Sequence, residues 1–246
     1  MSAEGFREVL NDLPFLLQGL RWTIQISLVG MVGGSLLGLL IGFGRISRWK
    51  ALSIPASIYV DFFRTTPLLV QLVWIYFALP ILIGHSLAAL EAGELGLTLY
   101  SAAFLAEIYR AGILAVPKGQ TEAALALGMK PRQVMRRIIL PQAVVNMLPP
   151  ITSTFMSLIK DSSIASIVSV PELLHQGQVL GTMTFRPTEA LTVIALMYLC
   201  LTYPLSVVVN LLHRRLTDVS APRSGRGPKI DSSGALEDVH VVPVEL

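Results

Sequence analysis

The chain has 246 residues and a single cysteine, Cys200, so an intrachain disulfide framework is excluded. That thiol sits in an apolar run and reads as a packing residue. Charge is equally scarce: Asp, Glu, Lys and Arg make up 14% of the residues against 53% hydrophobic ones, with a mean hydropathy of +0.64. A soluble domain is about 25% charged, so this balance excludes an ordinary soluble chain. Ahead of the first apolar run a basic segment is missing, because Arg7 stands against Glu4, Glu8 and Asp12. A cleavable signal peptide is therefore not expected, and the run stays in the mature protein. Catalytic signatures are missing too: there is no Gly-x-Ser-x-Gly, no His-Glu-x-x-His and no helix with paired aspartates, which argues against an intramembrane hydrolase. A net charge of +3 and a pI of 9.2 would suit nucleic acid, but the basic residues gather at the ends of apolar runs, where membrane topology puts them.

What is present is a series of apolar runs. A hydrocarbon core of roughly 30 Å takes about 20 helical residues to cross, and runs of that kind predict an all-α integral membrane protein with about five transmembrane helices, over residues 20–44, 57–82, 93–113, 140–170 and 189–212. Arg45, Arg48 and Lys50 follow the first span, and no Lys or Arg lies between Thr65 and Ala106. Only Arg186 lies between Asp161 and Glu189, whereas Arg214, Arg215, Arg223, Arg226 and Lys229 follow the last span. This alternation predicts an external N-terminal segment, 1–18, and a cytoplasmic C-terminus. Residues 216–246 turn to Ser, Gly, Pro and mixed charge and read as a flexible cytoplasmic tail. Gly93 to Gly96 and Pro171 to Phe185 read as short external segments, the second carrying Glu172 and a surface His175.

In the first span Gly30, Gly34, Gly38 and Gly42 recur every fourth residue, a ridge where another backbone can approach closely. It suits packing within the chain or a subunit interface. Glu107 and Arg110, three residues apart, can pair on one helical face, and Asp61 and Arg64 have the same spacing near the inner end of the second span, where they suit a structural or gating pair.

The segment 117–137 is an elbow between spans. It carries Lys118, Lys130, Arg132, Arg136 and Arg137 against Glu122, which puts it on the cytoplasmic side. Thr121 is expected to cap a short helix with Glu122 in its first turn, and Ala123, Ala124, Leu125, Ala126 and Leu127 to continue it. Gly128 is expected to stop it in the left-handed conformation, and Pro131 to open a second helix, so that the bend is rigid. An ordinary amphipathic surface helix is the alternative. Further on, 140–170 is longer than one straight crossing needs, and Pro149 and Pro150 are expected to break its backbone hydrogen bonding, which membrane proteins tolerate where a segment lines a wet cavity. That places Thr152, Ser153, Thr154, Ser157, Lys160 and Asp161 along a solute pathway, with hydroxyls and opposite charges for a zwitterion. Lys160 and Asp161 could instead reach the outer interface.

The pattern Glu122-Ala123-Ala124-x3-Gly128-x9-Ile138-x-Leu140-Pro141 resembles that of permease subunits of ATP-binding-cassette (ABC) importers, and the resemblance extends over about residues 19–215. Tyr59-Val-Asp-Phe-Phe-Arg-Thr-Thr-Pro-Leu-Leu-Val-Gln-Leu72, Ala106-Glu-Ile-Tyr-Arg-Ala-Gly-Ile113 and Lys160-Asp-Ser-Ser-Ile164 make it similar to the polar amino acid branch, the histidine, glutamine, glutamate and arginine permeases. The resemblance implies a type I ABC importer transmembrane-domain fold, with Gly119, Thr121, Glu122, Ala123, Ala124, Leu127, Gly128 and Met129 in a coupling helix seated on a cytoplasmic ATPase. It further implies two ABC ATPase subunits that hold ATP and Mg, a second permease subunit that is identical or paralogous, an extracytoplasmic amino acid-binding protein, and residence in a bacterial cytoplasmic (inner) membrane. No Gly-x4-Gly-Lys-Ser/Thr phosphate loop occurs here, so the chain is expected to carry no cofactor and not to be an enzyme by itself. Thr65 departs from a usual glycine, Asn146 from a frequent arginine, and Ser153-Thr154 from an Asn-Glu pair; the last weakens the case for a cationic solute. A secondary carrier with Glu107, Lys160 or Asp161 as a relay is the competing reading, though no inverted repeat supports it.

Overall fold

A computed structural model describes residues 3–220, and among these every regular element is helical. We number them α1 (Ala3–Asn11), α2 (Leu13–Ile46), α3 (Lys50–Thr65), α4 (Leu68–Ile83), α5 (Ala89–Leu114), α6 (Lys118–Ala126), α7 (Pro131–Val168), α8 (Leu173–Met183) and α9 (Pro187–Ser220). Four of them, α2, α5, α7 and α9, are long and apolar enough to cross a membrane, and α3 with α4 makes a bent fifth candidate.

The axis of the bundle is the contact between α2 and α5, and the glycine ridge explains it. Gly34 lies against Ser101, Gly38 against the carbonyl of Ala102 and Gly42 against that of Ala106. A Cβ at Gly38 would stand 2.8 Å from the Ala102 oxygen, so only glycine admits this approach. Ser101 Oγ donates to the Gly30 carbonyl at 2.7 Å across the same seam. The ridge therefore serves packing within the chain. Gly93 and Gly96 do the same against Val170 and Leu72; they are buried inside α5, not in an external loop, because glycine density there marks close approach instead of a turn.

The second span corrects the expectation of one straight crossing over 57–82. α3 and α4 meet at 107°. Pro67 disfavours helical backbone at the residue before it, and Thr66 accordingly has φ −88° and ψ 138°. Gln71 Nε2 ties the corner by donating to the carbonyls of Phe63 at 2.9 Å and Thr66 at 3.0 Å. A hydropathy run is blind to direction, so the corner was hidden.

Pro149 and Pro150 donate no backbone hydrogen bond, as expected, but they do not interrupt the segment, since the helix continues through them from Leu140 to Asp161. Irregularity falls elsewhere. A π-helical turn, Met135–Ile139, immediately precedes Leu140-Pro141, and another, Trp74–Ala78, precedes Leu79-Pro80. In each the residue before the proline donates to a carbonyl five back, Leu140 to Met135 and Leu79 to Trp74. Widening the turn relieves the clash of the pyrrolidine ring with the carbonyl four residues earlier. After Asp161 the chain tightens into a 3-10 turn, Ser162–Val168.

Three further differences concern the ends and surfaces. α9 continues to Ser220, so residues 216–220 are helix and not tail; the remainder of the expected tail, 221–246, lies outside the described residues. Cys200 is exposed on α9 and is not a packing residue. Glu172, expected in an exposed segment, is fully buried as the N-cap of α8. Its carboxylate accepts from the backbone N–H groups of Leu174 (2.9 Å) and His175 (2.7 Å) and from the Tyr198 hydroxyl (2.8 Å). Burial pushes this carboxyl above the usual range, and those donors pull the other way.

Candidate functional site: an elbow and a groove

The elbow forms a tight bend, with one correction to its start. α6 begins at Lys118, directly after Pro117, whose extended backbone (φ −57°, ψ 133°) is the boundary. Thr121 is therefore the fourth helical residue and not the cap, and Glu122 lies beyond the first turn, where the helix dipole has little hold on it. Proline in this position terminates what precedes it, so the cap signal at Thr121 lost. The other end fits the sequence reading. Gly128 has φ +79°, with its N–H donating to the Leu125 carbonyl (2.9 Å) and the Met129 N–H to that of Ala124 (3.1 Å). Pro131 opens α7, and the Gln133 side chain accepts from the Lys130 N–H at 2.8 Å. Ala124 and Val134 are buried where the two short pieces pack, while Leu127 is 84% exposed. Leu125, Ala123, Glu122 and Gly119 are exposed as well. At the root of the elbow Val116, Ala143 and Met147 form a small core.

Along α5 and α7 runs a groove made of three cavities. The first, of about 310 Å³, is lined by Ser153, Thr154, Ser157, Lys160 and Asp161 from α7 and by Tyr100 and Phe104 from α5. Five of the six predicted pathway residues thus come together. Thr152 does not join them; its Oγ1 donates to the carbonyls of Leu148 and Pro149, and Thr154, which does line the cavity, likewise donates to the carbonyl of Pro150. Tyr100 and Phe104 were missed; their i, i+4 spacing on an apolar span, with ring centroids 4.8 Å apart, was the available signal. The second cavity, of about 290 Å³, is lined by Arg64, Phe104, Glu107, Ala115, Asn146 and Pro150 among others. The third, of about 510 Å³, holds Ala115, Asn146, Pro117, Pro141 and Gln142 and reaches the root of the elbow.

Beside the second cavity stands a charge network. Glu107 accepts from Arg110 Nε at 3.0 Å, as its spacing predicted, and from Arg45 of α2 as well. Asp61 and Arg64 do not pair. Asp61 faces Arg45 at 3.9 Å, and Arg64 lies over the Phe104 ring, 5.5 Å from its centroid. Three helices, α2, α3 and α5, are joined here through one guanidinium. Among the described residues no group of three or more His, Cys, Asp or Glu side chains could hold a metal ion.

Residues 18–218 match the family described as the binding-protein-dependent transport system inner membrane component. The chain belongs to this family. Among curated permeases it is similar to the probable amino-acid ABC transporter permease protein YckA of Bacillus subtilis, at 38% identity over 84% of this chain and 91% of the relative. The probable glutamine ABC transporter permease protein GlnM of the same organism is also 38% identical, over 85% of this chain and 96% of GlnM. A solved structure described as an amino acid ABC transporter with histidines superimposes with a TM-score of 0.83 at 36% identity, covering 87% of this chain and all of that one. The permease fold expected from the elbow is therefore the fold this family member adopts.

Proposed function

We propose that this permease forms the translocation pathway of an ATP-driven importer of a polar amino acid, and that the groove beside Ser153, Thr154, Ser157, Lys160 and Asp161 receives the solute. The convergence of an ammonium, a carboxylate and three hydroxyls around one cavity carries the reading. A zwitterion in a membrane interior needs both charges answered, because an unpaired ion in a low dielectric is strongly disfavoured. Lys160 answers the α-carboxylate and Asp161 the α-ammonium. The elbow residues Gly119, Thr121, Glu122, Ala123, Ala124, Leu127, Gly128 and Met129 present a small-residue surface to an ABC ATPase, which binds the ATP and Mg that this chain does not. Two such ATPases, a second permease subunit and an extracytoplasmic binding protein complete the importer in a bacterial inner membrane, with this chain's N-terminus outside and its C-terminus in the cytoplasm.

The test is uptake of radiolabelled glutamine, glutamate, histidine and arginine into proteoliposomes that hold the permease with its ATPase and binding protein. With ATP enclosed in the lumen beside the ATPase and the binding protein outside, uptake of at least one of them is driven, Glu122→Lys abolishes it, and Lys160→Gln or Asp161→Asn raises the KM. Uptake driven by a proton gradient in the absence of the ATPase would overturn the reading in favour of a carrier.

A further inference from the structure

We propose that the Phe104 ring is the partition of the pathway, held shut by Arg64, so that solute passes from the outer to the inner cavity only when this ring swings aside. The inference rests on reading the groove as the solute pathway and adds to it the residue that closes it.

The boundaries between the cavities differ in kind. The second and third share Ala115 and Asn146, a small side chain and a polar one, which leave a zwitterion a hydrated path. The first and second share Phe104 and no other lining residue. A phenyl ring cannot replace the water around a carboxylate or an ammonium, so it obstructs a charged solute beyond its bulk. The ring is fixed on two sides. Tyr100, one turn away, packs against it at 4.8 Å between centroids, and the Arg64 guanidinium covers it from the inner cavity at 5.5 Å.

Arg64 is also placed to release it. It is the penultimate residue of α3, next to the 107° corner before α4, so a change in that corner moves the guanidinium relative to α5. A solute carboxylate offers Arg64 two oxygens in fork geometry, a stronger partner than a ring face. Glu107, in the same cavity, is engaged by Arg45 and Arg110 and leaves Arg64 to the ring.

Thiol accessibility tests this in membrane vesicles holding the full transporter without ATP, on a Cys200→Ser background. Ser157→Cys reports the outer cavity and Asn146→Cys the second one, each probed with a charged, membrane-impermeant methanethiosulfonate from either side. With Phe104 present, each thiol reacts from one side only, and the two sides are opposite. Phe104→Ala lets reagent from either side reach both thiols, with the slow direction accelerated about tenfold or more, the change that lowering a barrier by ~1.4 kcal/mol gives. Phe104→Leu does so to a smaller extent and serves if the alanine variant fails to assemble, while Phe104→Tyr stays closed. Unchanged sidedness in both truncations, alongside solute protection of Ser157→Cys, overturns the partition and leaves the groove standing. A Ser157→Cys thiol that no reagent reaches and no solute protects overturns both.

Discussion

Arg45 on α2 and Glu107 on α5 form an ion pair inside the bundle, and the same guanidinium reaches Asp61 on α3, so that one side chain, 15% exposed, ties three helices at one level. Removing one member of such a pair leaves the other charge partly buried and unanswered. Glu107→Gln should lower the unfolding free energy in lipid-detergent micelles by about 2 kcal/mol. Adding Arg45→Met to it should cost less than the sum of the two single changes, since the double variant removes both members of this pair, while Arg110 loses Glu107 in either background. Strict additivity in that cycle would show that the pair is incidental.

The α2 and α5 seam depends on missing side chains. Gly38→Ala places a methyl 2.8 Å from a backbone oxygen that cannot turn away, so the helices must separate. Destabilisation of about 1–3 kcal/mol is expected, read as a drop in the thermal aggregation midpoint of purified permease, and Gly38→Val should fail to accumulate in membranes. Wild-type behaviour of Gly38→Val would mean that this seam is looser than its geometry.

Glu172 is the anchor of α8. Replacing it with alanine strands two N–H groups and the Tyr198 hydroxyl, a loss of about 2 kcal/mol or more, whereas Glu172→Gln retains an acceptor and should lose less. The carboxyl is held above its ordinary range in the fold, so the folded protein binds more protons than the unfolded one between the ordinary value and the elevated one. Stability of the wild type should therefore decline as pH rises through that window, and Glu172→Gln should lack the slope. Denaturation midpoints between pH 4 and pH 8 for the two proteins make the comparison.

Gly128 adopts φ +79° with nothing within 4 Å of where a Cβ would go, so its requirement is conformational and not spatial. Gly128→Asn should keep most ATP-driven uptake because asparagine enters this region readily, while Gly128→Val, strained by at least ~1–2 kcal/mol, should unwind the bend and uncouple ATP hydrolysis from uptake. Equal uptake by both variants would remove the bend from the coupling mechanism.

The readings that succeeded were those in which a residue type answers a local constraint. The four-residue glycine period, the Gly128 stop, the Pro131 start and the Glu107 and Arg110 spacing each concern one helix or one turn, and all appear in the structure. Those that failed involve a competitor or a partner distant in sequence. Thr121 lost its cap role to Pro117, which acts first along the chain. Arg45 read as a topological charge after a span, yet its partners lie 16 and 62 residues away at Asp61 and Glu107. Phe104 on an apolar run is indistinguishable from any core or lipid-facing ring until Arg64 and the facing wall of α7 are in place. Glu172 looked solvated because its donors, two from its own turn and one from Tyr198, are invisible to composition.

The π-helical turn ahead of Pro141 lets a chain bearing three prolines climb from the elbow to Asp161 without a joint. We infer that a displacement entering α7 at Pro131 would be carried along one unbroken helix toward Lys160, as along a shaft, so that the groove would move together with the elbow instead of waiting for a hinge to take up slack.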